Sequence, residues 1–186
     1  MQIIDYWSWK NILSLDEIKK INSFIENNYE WKEDAETWAT GDNGERKKYT
    51  DTKLITWGKV KHLLQDIEDK SIWTATKECG YNVYPFNNLD QMFHNTYALN
   101  EKYDWHVDSS RSNQYDVKLS MIINMSEEPY EGGQFHLFIG GDKVCTELNS
   151  PGSAILFKSF LNHKVSPVTK GVRKSLAIFL DGPKFT

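Results

Sequence analysis

The pattern of apolar residues in this chain changes once, at Gly80, and that change limits the folds open to it. Up to Cys79, apolar residues recur three and four positions apart, the spacing of helices with one buried face. From Tyr81 onward they fall into short alternating or β-branched runs, separated by Gly132-Gly133, Gly140-Gly141-Asp142, Pro151-Gly152 and Lys170-Gly171. Such runs are typical of an antiparallel β-sandwich or barrel. Helices followed by strands, with no repeat and no linker between them, predict one α+β domain over residues 1–186. Its helical part spans about 1–80 and its β-barrel about 81–186. A chain of 186 residues can bury a core without disulfide or metal staples.

Ser14-Leu15-Asp16-Glu17 reads as a capping box, with Leu13 and Ile18 in the positions of a hydrophobic staple. Leu15, Ile18, Ile21, Ile25 and Tyr29 then form one stripe, which predicts a helix from Ser14 to about Tyr29. Trp57, Val60, Leu64 and Ile67 form a second stripe, closed by Gly80. Residues 30–52 are polar and aperiodic, and are expected to form a long surface loop that closes over a ligand; Arg46-Lys47-Lys48 within it reads as solvated. Strands are expected near 81–86, 91–98, 103–107, 117–125, 134–139, 143–148, 153–158, 163–168 and 172–180.

Charge and cysteine content exclude several classes of function. Against 26 acidic residues stand 22 basic ones, a net charge of −4, which is the wrong sign for a domain that lives on phosphate contacts. The two cysteines, Cys79 and Cys145, lie far apart without CxxC or zinc spacing, so a disulfide framework is not expected. No apolar run nears the roughly 20 residues needed to span a bilayer, and the first residues lack the features of a signal peptide. The expectation is a soluble, cytoplasmic protein without membrane partners. Asn124-Met125-Ser126 matches a glycosylation sequon, but it lies in an expected strand and is discounted.

The chemistry is concentrated in a few side chains. In Tyr103-Asp104-Trp105-His106-Val107-Asp108, a spacing of two along a strand turns His106 and Asp108 to one face. Such a pair occurs by chance in about one chain in three of this composition, so it decides nothing alone. His163 supplies a third ligand type. Two histidines and one carboxylate suit a non-haem Fe(II) centre with open coordination positions, whereas a closed zinc site needs a fourth protein ligand. Ten residues further on is Arg173, with Ser175 on the same face of the last long strand, and a guanidinium beside a hydroxyl suits a carboxylate. With 3 Arg in the chain, one at a chosen position has a chance probability of about 2%.

His106-Val107-Asp108, His163, Arg173 and Ser175, with Tyr97, Tyr103 and the Glu131-Gly132-Gly133-Gln134 turn, resemble the Fe(II)- and 2-oxoglutarate-dependent dioxygenases, and within them the prolyl 4-hydroxylase-like branch. The resemblance runs from about Gln91 to Gly182. It implies a double-stranded β-helix, a jelly-roll, cupin-like barrel with the N-terminal helices bracing one outer sheet. It also implies Fe(II) on His106, Asp108 and His163. Arg173 and Ser175 would take the far carboxylate of 2-oxoglutarate, with Tyr97 directed at the co-substrate and Tyr103 lining the mouth.

The implied reaction consumes O2 and 2-oxoglutarate, releases succinate and CO2, and hydroxylates an unactivated C–H, with ascorbate as a candidate reductant. Its implied substrate is a prolyl residue in a peptide or protein, or a free amino acid. Relatives that halogenate carry a small residue in place of the carboxylate, so Asp108 implies hydroxylation. The branch that repairs nucleic-acid bases carries a second Arg six residues after the first, where this chain has Phe179.

Rival readings are a cupin-like barrel that holds metal without turnover, a metal-dependent isomerase or lyase, and a nucleic-acid-demethylating relative. His62 and His94 are expected to be structural, and His136 to face either the metal or the outside. Trp105 and Phe179 read as core residues, Trp38 and Trp57 as site walls or packing, and Lys174 as solvent-facing.

Overall fold

A computed structural model describes residues 4–29, 47–108 and 114–185. In chain order the elements are β1 (Tyr6–Trp9), α1 (Leu15–Asn28), β2 (Lys48–Tyr49), β3 (Asp51–Thr56), α2 (Trp57–Lys77), β4 (Gln91–Tyr97), β5 (Lys102–His106), β6 (Asp116–Asn124), β7 (Glu131–Gly132), β8 (Phe135–Phe138), β9 (Asp142–Val144), β10 (Ala154–Lys158), β11 (His163–Val165), β12 (Val168–Lys170) and β13 (Arg173–Gly182). A short 3-10 turn, Thr146–Leu148, follows β9.

The strands form a six-stranded sheet in the order β1-β10-β6-β13-β4-β3 and a five-stranded sheet in the order β2-β5-β11-β8-β9, with β12-β7 as a small ribbon. All pairings are antiparallel. The two large sheets face each other as a double-stranded β-helix, with Phe135 of one against Phe157 of the other at 5.3 Å between ring centroids.

The large sheet is covered on both faces, which explains why β13 reads as a nearly unbroken apolar run. Leu176, Ile178 and Leu180 of β13 join the core formed with the helices, whereas Ala177 joins the core inside the barrel. Arg173 and Ser175 share the inward parity of Ala177. The helices pack Ile18, Ile21, Ile25, Val60, Leu64 and Ile67 onto the outer face, each buried aliphatic side chain contributing about 2 kcal/mol.

Helix α1 starts as its sequence predicts. The Glu17 N–H donates to Ser14 Oγ at 3.3 Å, and the Ser14 N–H donates to Glu17 Oε2 at 2.7 Å. Helix α2 has no side-chain cap, and backbone carbonyls of the Asn88–Asp90 turn accept its first N–H groups instead. No helix among the described residues is long and apolar enough to cross a membrane.

Several expected elements differ in the structure. Residues 81–86 form no strand: Tyr84 N–H donates to Asp181 O at 2.8 Å and Phe86 N–H to the buried Glu68 carboxylate at 3.0 Å, so this segment is held by isolated bonds. The expected loop over 30–52 ends earlier, because 48–49 and 51–56 pair as strands; its part from 30 to 46, with Trp38, lies outside the described residues. Lys48, expected in solvent, is only 9% exposed. The run 163–168 breaks at Pro167, which has no N–H to give to a ladder, and 143–148 passes from strand into the 3-10 turn. An additional edge strand, β1, pairs with β10.

Candidate functional site

His106 and His163 lie directly opposite each other across the β5–β11 ladder and therefore project to the same face, into the barrel. Asp108 lies just past the end of β5, so the strand pleat alone does not aim it. Its N–H donates to Ser159 O at 3.0 Å, which tethers it beside the two imidazoles. Asp108 Oδ1 is 3.6 Å from His106 Nε2, and Oδ2 is 3.3 Å from His163 Nε2. One ligand atom from each of the three residues lies within 4.8 Å of the others, a spacing that can hold a metal ion.

Backbone carbonyls set the tautomers of both rings. His106 Nδ1 is 2.7 Å from Asp104 O and His163 Nδ1 is 3.0 Å from Leu161 O. A carbonyl only accepts, so each Nδ1 carries the proton and each Nε2 presents a lone pair to the centre. Burial, and then the neighbouring His163, push the His106 pKa down to about 3. Burial alone would raise Asp108, but His163 outweighs it and holds the carboxyl down at about 2; Asp108 in turn raises His163 against its own burial.

A bulge in β5 shapes the wall. His163 pairs with His106 but Val165 pairs with Tyr103, so β5 spends one residue more than β11. Tyr103 and His106, an odd number of positions apart, therefore share the inner face, and their rings stack at 3.5 Å with an 11° tilt. Phe157 and Phe135 close the apolar side around His163, at 4.7 and 5.6 Å.

Arg173 lies opposite Tyr97 on the inner face of the large sheet, its guanidinium carbon 5.2 Å from the Tyr97 ring. Nη1 donates to Ser175 Oγ at 3.2 Å. Arg173 is 1% exposed, and its Nη2 is buried without a hydrogen-bond partner among the described residues. A buried cation with one bare edge is costly unless an anion reaches it, so this pocket fits a carboxylate. Tyr97 feels both Arg173 and Asp108, and burial pushes its hydroxyl up to about 12.

The remaining histidines lie elsewhere. His62 meets Phe24 edge-on at 5.8 Å, and His94 is bound to Asn22 beneath α1. His136 pairs with Lys164 in the ladder, one position off the inner face, and faces outward to Asp142 at 2.6 Å and to Trp105. Trp57 is core, and Lys174 pairs with Glu26 at 2.7 Å rather than facing open solvent. The sequence reading missed two residues beside the site. A Cβ at Gly133 would lie 2.9 Å from Arg173 Cδ, and Lys48 lies over the Tyr103 ring at 5.5 Å. The β-branched run Thr50, Thr52, Ile55, Thr56 after Lys48 was the available signal for strand there.

Residues 92–181 match the model of the 2OG-Fe(II) oxygenase superfamily. A PKHD-type hydroxylase of Synechococcus sp. (strain CC9605) is 35% identical over 78 residues, covering 41% of this chain and 35% of the relative. A PKHD-type hydroxylase of Alteromonas mediterranea is 37% identical over 86 residues, covering 42% and 38%. The matched part thus spans little more than a third of these curated relatives. In structure, a Pseudomonas putida prolyl-4-hydroxylase superposes with a TM-score of 0.72 at 16% identity, over 97% of this chain and 94% of the other. The viral collagen prolyl hydroxylase of Paramecium Bursaria Chlorella virus-1 gives 0.67 at 14% identity, over 96% and 97%.

Proposed function

We propose that this chain, whose residues 92–181 belong to the 2OG-Fe(II) oxygenase superfamily, is a prolyl 4-hydroxylase-like hydroxylase that acts on a prolyl residue in a peptide or protein, or on a free amino acid. The observation that carries this reading is the bare, buried Nη2 edge of Arg173 on the inner face of the same barrel that gathers His106, Asp108 and His163. The three donors fit Fe(II) and leave coordination positions open, and the guanidinium fits the far carboxylate of 2-oxoglutarate. With O2, the bound metal and co-substrate supply the oxidising power to hydroxylate an unactivated C–H, releasing succinate and CO2.

The protein's own part is to position and to exclude water. The carbonyls of Asp104 and Leu161 keep the two Nε2 lone pairs pointed inward, so the donor set is arranged before any metal arrives. Arg173 and Ser175 fix the direction of the co-substrate, with Tyr97 beside them and Tyr103 at the mouth. Phe135 and Phe157 keep the His163 side dry.

Substitution tests both halves. Asp108→Ala should abolish succinate formation while the circular dichroism spectrum stays native, and undiminished succinate release would remove the metal assignment. Arg173→Met should keep Fe(II) binding and weaken 2-oxoglutarate by about 100-fold, since one partner of a buried charge pair is worth several kcal/mol. An unchanged dependence on 2-oxoglutarate would remove Arg173 from its role.

A further inference from the structure

Ser120 has no part in the metal or co-substrate assignment, yet it lies inside the barrel beside the metal ligands. On β6 it stands directly opposite Phe157 of β10 on one side and Phe179 of β13 on the other. Phe157 belongs to the inner core, with its ring 4.7 Å from that of His163, and Ser120 shares its face. Neither cross-strand neighbour carries a polar side-chain group. Two residues past Phe157, the Ser159 carbonyl accepts the Asp108 N–H at 3.0 Å, and the Ser159 N–H donates to Lys118 O on β6 at 3.2 Å. Asp108 is thereby tied to the stretch of β6 and β10 from which Ser120 projects inward.

The Ser120 hydroxyl reaches the Asp108 carboxylate. Burial raises that carboxyl, while His163, His106 and a hydrogen bond from Ser120 hold it down. Ser120 is 0% exposed, and its Oγ has no other partner among the described residues. A buried hydroxyl left alone is costly, and an ionised carboxylate is the strongest acceptor it can meet. Asp108 has two oxygens, whereas the donor set of two imidazoles and a carboxylate needs one ligand atom from each residue. On an octahedral ion, three protein atoms and two from the co-substrate leave one position. A carboxylate that chelated through both oxygens would fill it.

We propose that Ser120 is a positioning residue: its O–H occupies one oxygen of Asp108, so that the carboxylate offers the metal a single atom and the last coordination position stays open for O2. A hydrogen bond from a buried hydroxyl to a ligating carboxylate fixes the direction of the ligand before the metal arrives. The apolar frame of Phe157 and Phe179 keeps that hydroxyl from turning to another acceptor. This inference rests on the oxygenase reading above and deepens it.

The test uses the full chain loaded with Mn(II), which takes the same donors without turnover, and 2-oxoglutarate. Broadening of the Mn(II) EPR lines in 17O-labelled water then counts the water molecules on the ion. The wild type should hold one water. Ser120→Ala removes one oxygen without adding volume, so the barrel keeps its packing; its complex should hold no water, with Mn(II) and 2-oxoglutarate affinities within fivefold of wild type. Ser120→Thr, which restores the hydroxyl, should regain the water. A water retained by Ser120→Ala, a water lost by Ser120→Thr as well, loss of metal binding in Ser120→Ala, or a wild-type complex that holds no water would overturn the proposal. Failure of the wild type to take up metal and 2-oxoglutarate at all would overturn the oxygenase reading, and this proposal with it.

Discussion

Gly133 shows how one residue without a side chain shapes the pocket. Its φ is +56°, and a Cβ there would lie 2.9 Å from Arg173 Cδ and 3.0 Å from Val168 Cγ2. Ala at this position meets left-handed strain of about 1–2 kcal/mol and also pushes on the arginine. Gly133→Ala is therefore expected to weaken 2-oxoglutarate about tenfold with Fe(II) affinity unchanged, measured by calorimetric titration; equal loss of both would mean general damage to the barrel. At this scale the sequence was informative where chemistry is tied to residue type. His106, Asp108, His163 and Arg173 could be picked out because few side chains bind a metal or a carboxylate. Gly133 could be read only as a turn, and Lys48 only as part of a basic strip, because their contacts come from strands distant in sequence.

Among the elements, α1 was legible to its cap because a capping box and a helical stripe are local signals. β2 and β3 were not. β2 is two residues long and gains its identity only by pairing with β5, while β3 runs directly into α2 without a turn. The 81–86 segment has strand-like composition but joins no ladder, and is held by single bonds from Tyr84 N–H to Asp181 O and from Phe86 N–H to Glu68.

The docking of α1 on the large sheet carries a pH dependence. The amide of Asn22 donates to Met125 O and to Glu127, so its Oδ1 must accept from His94 Nε2, at 2.9 Å, and His94 is held neutral. Burial, with Lys174 and Lys53 nearby, pushes its pKa from 6.5 down to about 4. Above pH 6.5 both folded and unfolded states carry a neutral ring. Between 6.5 and 4 only the unfolded chain takes the proton, so stability falls as pH falls, by about 1.4 kcal/mol per unit. Urea unfolding should show wild type losing about 3 kcal/mol more than His94→Gln over that window, and parallel curves would mean that His94 does not titrate in this way.

Across the whole molecule, the division of labour follows the two faces of the large sheet. One face packs helices and fixes shape; the other, with the small sheet, encloses the chemistry. The alternation of strands at the sequence level implied a barrel, but the strand order did not follow from it, because pairing is set by long-range contacts such as β10 with β6 and β13 with β4. Resemblance implied the double-stranded β-helix through the residues that hold the site, but not the order of its strands. The central claim is that this barrel chelates Fe(II) through His106, Asp108 and His163 and then accepts 2-oxoglutarate against Arg173. Anaerobic titration of the metal-free protein with Fe(II) and then 2-oxoglutarate tests it without knowledge of the substrate. The account predicts a weak visible charge-transfer band from the chelated 2-oxo acid in the wild type and none in His106→Ala. A wild type that binds Fe(II) but gives no band, or a band undiminished in His106→Ala, would contradict it.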